Sequence, residues 1–77
     1  PAYPTFLFFN PYSEAKIVTL DTGPGQHDVY DAVRHDFVLR GVSGAVPLTL
    51  PADAAVLAVI TPAGGTVTRE LDRLLID

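Results

Sequence analysis

The run Val46-Pro47-Leu48-Thr49-Leu50-Pro51-Ala52-Asp53-Ala54-Ala55-Val56-Leu57-Ala58-Val59-Ile60-Thr61 decides the fold. Its first part alternates Val46, Leu48 and Leu50 with Pro47 and Thr49, the period-two pattern of a strand with one wet face. Pro47 cannot donate to a ladder and argues for an edge position. From Pro51 onward two readings compete. An early proline, an acid in the first turn and three alanines suit a helix over residues 51–57. Against this, the chain becomes β-rich from Val56, and Ala54 to Thr61 is apolar on both faces, as in a buried central strand. The strand reading is adopted, because short strands separated by turn signals dominate the rest of the chain.

Working outward, Thr5-Phe6-Leu7-Phe8-Phe9-Asn10 places Phe6 and Phe8 on one face and Leu7 and Phe9 on the other. Both faces must therefore be covered, so this strand is expected to be central, beside the 54–61 strand. Asn10-Pro11 breaks it, and Lys16 to Leu20 returns as a second strand, predicting a hairpin-like pair joined by residues 11–15. Asp21-Thr22-Gly23-Pro24-Gly25-Gln26 is a loop. Asp28 to Phe37 carries Val29, Val33 and Phe37 at helical spacing behind a possible Asp28 cap, yet strand is again preferred. Further strands are expected at 37–40, 46–50, 66–71 and 74–76, with turns at Ser43-Gly44, Pro62 to Gly65 and Asp72-Arg73. Nineteen Val, Ile or Thr residues and seven aromatics make up about a third of the 77 positions and support the same bias. The expectation is an all-β fold, a small antiparallel β-sandwich of seven or eight short strands in a single domain over residues 1–77.

Composition removes several function classes. Nine acids against five bases give a net charge of −4 and no basic patch, so nucleic acid is not an expected partner. No apolar run reaches the roughly 18 residues that cross a bilayer, and no cationic amphipathic face suggests a membrane partner. Cysteine is absent, which excludes disulfides and thiolate metal sites. The start at Pro1 and the apolar Leu74-Leu75-Ile76 near the end read as a segment cut from a longer protein.

Asp28, Asp31 and Asp36, with His27 and His35 beside them, are the one acid cluster. A glycosidase needs two carboxylates roughly 5 to 9.5 Å apart across a cleft, but on a strand Asp28 and Asp31 point to opposite faces. They are read as surface charges, turn formers or hydrogen-bond partners of neighbouring loops, and no catalytic residue is assigned. Two histidines eight residues apart fit no metal spacing, a calcium loop is absent, and a cation between Asp21 and Asp28 is less favoured than a plain turn, so no metal and no cofactor are expected. Gly23-Pro24-Gly25 lacks the Gly-Lys-Ser/Thr of a phosphate loop, and neither Ser13 nor Ser43 stands in a nucleophile elbow. Tyr3, Tyr12 and Tyr30 are stacking candidates for sugar rings. Tyr12, in a turn, is the best placed, and Tyr12 and Tyr30 are the candidate carbohydrate-binding residues. The competing reading makes Tyr30 core and packs Tyr3 and Tyr12 against a neighbouring domain.

The order of segments carries a resemblance: Phe6 to Asn10, then Val29-Tyr30-Asp31-Ala32-Val33, a strand from Phe37, Val46 to Pro51, and Ala55 to Ile60. Over about residues 5–62 this resembles the C-terminal β-sandwich domains that follow the catalytic domain in many multidomain glycoside hydrolases and related carbohydrate-active enzymes. Thr66 to Asp77 runs past the point where many such domains end. The resemblance implies a non-catalytic module that packs on the catalytic domain of its own chain and stabilises it, with the catalytic carboxylates on that other domain. It also implies an extracellular or periplasmic location. The alternatives are a carbohydrate-binding module that holds polysaccharide on exposed tyrosines, and a free-standing structural or adhesion sandwich.

Overall fold

A computed structural model describes residues 3–64 and the backbone of residues 67–70 and 73–76. Its body is all-β, six antiparallel strands in two sheets, with no helix among the described residues: β1 Thr5–Asn10, β2 Lys16–Asp21, β3 His27–Asp31, β4 Asp36–Val42, β5 Ala45–Leu50 and β6 Ala54–Pro62. One sheet has the order β1-β6-β3-β4, and the other is the pair β2-β5. Two further strands, β7 Val67–Glu70 and β8 Arg73–Ile76, pair antiparallel with each other. The expected turn at Asp72-Arg73 and the residues Gly65, Thr66 and Leu71 lie outside the described residues, apart from Arg73, which begins β8.

Short polar side chains end the first three strands in the same way. Asn10, Asp21 and Asp31 are the last residues of β1, β2 and β3, and the Oδ1 of each accepts the amide two residues on, from Tyr12, Gly23 and Val33, at 2.9 to 3.0 Å. This Asx turn offers the backbone a local partner where the ladder stops. Between β3 and β4 the chain turns through residues 32–35, where His35 has φ 61° and its amide donates to the Asp31 carbonyl at 2.8 Å. The helical spacing of Val29, Val33 and Phe37 is therefore broken by a hairpin. At the β4–β5 turn Gly44 takes φ 68°, a left-handed conformation open to glycine, and its amide donates to the Gly23 carbonyl at 2.9 Å. Residues 51–53 form a turn as well, leaving β6 to start at Ala54 as a strand.

The two sheets share one core. Leu20, Val29, Leu48, Leu50, Val56, Ala58 and Ile60 are buried, with Phe8, Val18, Leu39, Val42 and Val46 packed against them. Each fully covered Val or Leu contributes about 1.5 to 3 kcal/mol. The β5 alternation is realised as read: Leu48 and Leu50 are buried, Pro47 and Thr49 exposed. β6 is central, flanked by β1 and β3.

Two expectations are corrected. β1 and β2 do not form a hairpin, because β1 pairs with β6 and β2 with β5, so residues 11–15 cross from one sheet to the other. The buried Asn10 amide holds that crossing, donating from Nδ2 to the carbonyls of Glu14 (2.9 Å), Leu50 (3.2 Å) and Pro51 (3.0 Å). β1 is also not central. It forms the edge of its sheet, and Leu7 and Phe9 stand 71% and 63% exposed on the face turned away from the core. Alternation shows which residues share a face; it does not show that another layer covers that face.

Candidate functional site

The acid cluster is built into the scaffold. Asp28 is 1% exposed; its Oδ1 accepts the Gly41 amide at 2.8 Å, and its Oδ2 accepts the Gly64 amide at 2.9 Å and Arg40 Nη1 at 3.0 Å. It thereby fastens β4 and the loop after β6 to β3. Burial alone would raise its pKa, but the two glycine amides, the Arg40 hydrogen bond and the Arg40 charge together hold the carboxyl below the usual carboxylate range. Asp31, also 1% exposed, accepts the amides of Val33 (2.9 Å) and Leu57 (3.3 Å) on Oδ1 and Arg34 Nη1 on Oδ2 at 2.7 Å. Arg34 reaches on to the Ala55 carbonyl at 2.8 Å. Neither carboxylate opens to solvent, and the reading as hydrogen-bond partners of neighbouring loops describes both.

The lowered pKa of Asp28 sets a sign for pH dependence. A carboxyl depressed in the native state contributes stability above its unfolded value of about 3.9, and that contribution is lost as pH falls through the native value. Urea midpoints should therefore hold steady from pH 7 to about 5 and drop below about 4. Asp28→Asn should remove most of this acid sensitivity; an unchanged slope in the variant would assign it to other acids.

His27 stands between two carbonyls, Nε2 at 2.9 Å from that of Pro24 and Nδ1 at 3.3 Å from that of Thr61, and so ties the Gly23-Pro24-Gly25 loop to β6. Asp36 and His35 lie exposed in the β3–β4 hairpin. Among the described residues no group of three His, Asp or Glu side chains is placed to hold a metal ion. Ser13 and Ser43 are exposed in loops.

The two stacking tyrosines occupy opposite environments. Tyr12 is 61% exposed in the crossing after β1, its carbonyl accepting the Asp53 amide at 2.8 Å, and Lys16 Nζ stands 5.0 Å from its ring centroid. One ring face is thus shared with a cation. Tyr30 is 2% exposed and meets Phe37 edge-on, with centroids 5.1 Å apart and an interplanar angle of 69°. It has no face to offer a sugar, so of the two candidate carbohydrate-binding residues only Tyr12 keeps a stacking role.

The remaining feature is the outer face of the four-stranded sheet. Register aligns Thr5 with Val59, Leu7 with Leu57 and Phe9 with Ala55, and Tyr30 with Val59 and Phe37 on the same side. The β3–β4 half is closed by the chain itself: Tyr30 is buried, and the Arg40 guanidinium lies 3.6 Å above the Phe37 ring. The β1–β6 half is open, with exposed Leu7 and Phe9 beside half-buried Ala55, Leu57 and Val59. Compared with protein-family models, curated proteins and solved structures, the chain matches none.

Sequence reasoning missed the anchoring role of Asn10, and for Asp28 and Asp31 it named hydrogen bonding to loops only beside surface charge and turn formation, without their burial. The Asx turns were within reach, since Asn10 and Asp31 each end an apolar run. Their long-range partners lie up to 41 residues away and leave no local signal.

Proposed function

We propose that this chain is a non-catalytic β-sandwich module, of seven or eight strands with β7 and β8 included, that packs on a neighbouring catalytic domain and stabilises it. The open apolar half-face of β1 and β6 carries this reading. Leu7 and Phe9 side by side at 71% and 63% exposure are surface that a covering domain removes from water. An interface between domains of one chain typically buries about 600 to 1,500 Å². Following the segment order described above, the neighbour is proposed to be the catalytic domain of a carbohydrate-active enzyme of the glycoside hydrolase type, exported to the periplasm or the exterior.

A second reading, sugar stacking, is favoured by one observation: Tyr12 is exposed on a turn whose backbone is fixed by Asn10 and Asp53. Two measurements separate the readings. The 77-residue chain at low micromolar concentration should enhance the fluorescence of an apolar dye, and Leu7→Lys with Phe9→Lys should reduce the enhancement several-fold. In gels containing soluble polysaccharides the chain should migrate unretarded. Retardation abolished by Tyr12→Ala would replace the packing reading with the binding one, and hydrolysis of a glycoside by the isolated chain would overturn both.

A further inference from the structure

The four sheet edges of the body differ in how they are guarded. β4 carries Asp36, Arg40 and Gly41, and its pairing with β3 is interrupted by register shifts. β5 carries Pro47, and β2 carries Lys16 and Asp21. Charge, proline and irregular register are the devices by which edges resist pairing with another chain. β1 has none of them: Thr5–Asn10 contains no charge, glycine or proline, and its register with β6 runs unbroken from Thr5↔Val59 to Asn10↔Ala54.

The free side of β1 can be read residue by residue. The Ile60 amide donates to the Pro4 carbonyl at 2.9 Å, so Pro4, Phe6 and Phe8 face β6. By the alternation of antiparallel ladders, Thr5, Leu7 and Phe9 direct their N–H and C=O groups to the open edge. These three positions are self-complementary. About a twofold axis at Leu7, Leu7 meets the partner's Leu7, Thr5 meets the partner's Phe9, and each such pair exchanges two N–H···O=C bonds. In the same register Phe6 stands opposite the partner's Phe8, an aromatic cross-strand pair on the core side.

We propose that a second copy of this chain pairs with β1 edge to edge, antiparallel and centred on Leu7, making one eight-stranded sheet from two four-stranded ones. Charge permits it. The chain carries a net −4, yet β1 and its outer neighbours Ala55, Leu57 and Val59 carry none of that charge, so the copies meet without like-charge contact. The side chains add little area: at 44% and 63% exposure Phe6 and Phe9 offer about 160 to 270 Å² per copy, of which an edge contact covers only part, so the backbone ladder carries the association and the interface belongs to the small, transient class below about 1,200 Å². This describes a reversible dimer with a dissociation constant on the order of 10 to 1,000 μM. Pairing uses the backbone edge of β1 and leaves the outer side-chain face accessible, so it is independent of docking to a catalytic domain.

Sedimentation velocity of the chain from about 5 μM to 1 mM should show a fast exchange from the 8.2 kDa monomer to twice that mass and no further. Leu7→Lys opposes two like charges at the axis and should weaken the dimer at least tenfold, whereas Ile17→Lys, equally exposed on β2 in the other sheet, should leave it unchanged. The chain has no cysteine, so Leu7→Cys reports proximity cleanly. Directly opposed residues of such a pair have Cα atoms about 5.5 Å apart, within disulfide reach, and mild oxidation should link the copies. Ile17→Cys should not link above background. A monomer at every concentration, a dimer indifferent to Leu7→Lys, equal linking from Ile17→Cys, or open-ended growth would each overturn the proposal. Should Leu7→Lys fail to fold, the cysteine pair still decides.

Discussion

Asn10→Ala should cost about 3 kcal/mol and lower the melting temperature by about 12 to 24 °C, read by circular dichroism during heating and in urea. Asn10 is 2% exposed, and its Nδ2 serves the carbonyls of Glu14, Leu50 and Pro51 while its Oδ1 takes the Tyr12 amide. An alanine leaves all four backbone groups without this partner. A buried unsatisfied group costs about 1 to 3 kcal/mol; only the bond to Leu50 is fully buried, and water can stand in at the three part-buried ones, which keeps the total near about 3 kcal/mol. For a chain of 77 residues, whose whole stability is about 4 to 12 kcal/mol, the loss is large. Asn10→Asp is the sharper variant. It keeps the acceptor for Tyr12 but turns a carboxylate oxygen toward three carbonyl oxygens, and it should be at least as destabilising as alanine. If aspartate were tolerated like asparagine, donation to the three carbonyls would not be what holds the crossing between the sheets.

The second large effect is expected at Asp28. Asp28→Asn should cost about 2 to 4 kcal/mol near neutral pH, because three donors converge on the carboxylate and an amide presents only one acceptor oxygen. The amide nitrogen would then confront the N–H of Gly41 or of Gly64. Arg40→Ala removes one partner of the same pair and should cost only about 1 kcal/mol, since the Arg40 side chain is 54% exposed and the two glycine amides remain. The contrast tests the assignment. Equal losses from both variants would place the energy in the ion pair, whereas a dominant Asp28 effect places it in the backbone amides it holds. Below about pH 4 the gap between the unaltered chain and Asp28→Asn should close, as protonation removes the acceptor that the substitution removes at neutral pH.

Much of the strand layout was legible before the tertiary structure. Thr5 to Asn10 was read with the bounds it adopts as β1, and Lys16 to Leu20, Val46 to Leu50 and Ala54 to Thr61 differ from β2, β5 and β6 by single residues at their ends. These segments alternate or run apolar over at least five residues and are closed by Pro, Gly, Asn or Asp, so local chemistry defines both content and limits. Residues 28–37 were harder, because Val29, Val33 and Phe37 fit a helix as well as two strands. The Asx turn at Asp31 and the left-handed His35 divide them into a hairpin. The candidate site was less legible. Tyr12 could be placed in a turn from Asn10-Pro11, but nothing near Tyr30 announces that Phe37 closes over it. For Asp28 and Asp31 the sequence offered surface charge, turn formation or hydrogen bonds to loops, and could not choose among them, because carboxylates are normally solvent-facing. Their burial depends on arginines and backbone amides delivered by other strands.

By itself the sequence favoured an all-β chain, set the limits of β1, β2, β5 and β6 to within a residue, and showed which residues of those strands share a face. These follow from the two-residue period of the pleat and from turn chemistry, both properties of a few neighbouring residues. Only the tertiary structure decided that β1 is an edge, that β1 and β2 belong to different sheets, and that three polar side chains anchor the body. Pairing joins segments tens of residues apart, and whether a second layer stands over a face depends on where the whole chain goes. Phe6, Leu7, Phe8 and Phe9 look alike in sequence. The fold packs Phe8 against the core and leaves Leu7 and Phe9 exposed, and so divides one apolar run between the core side and an open face.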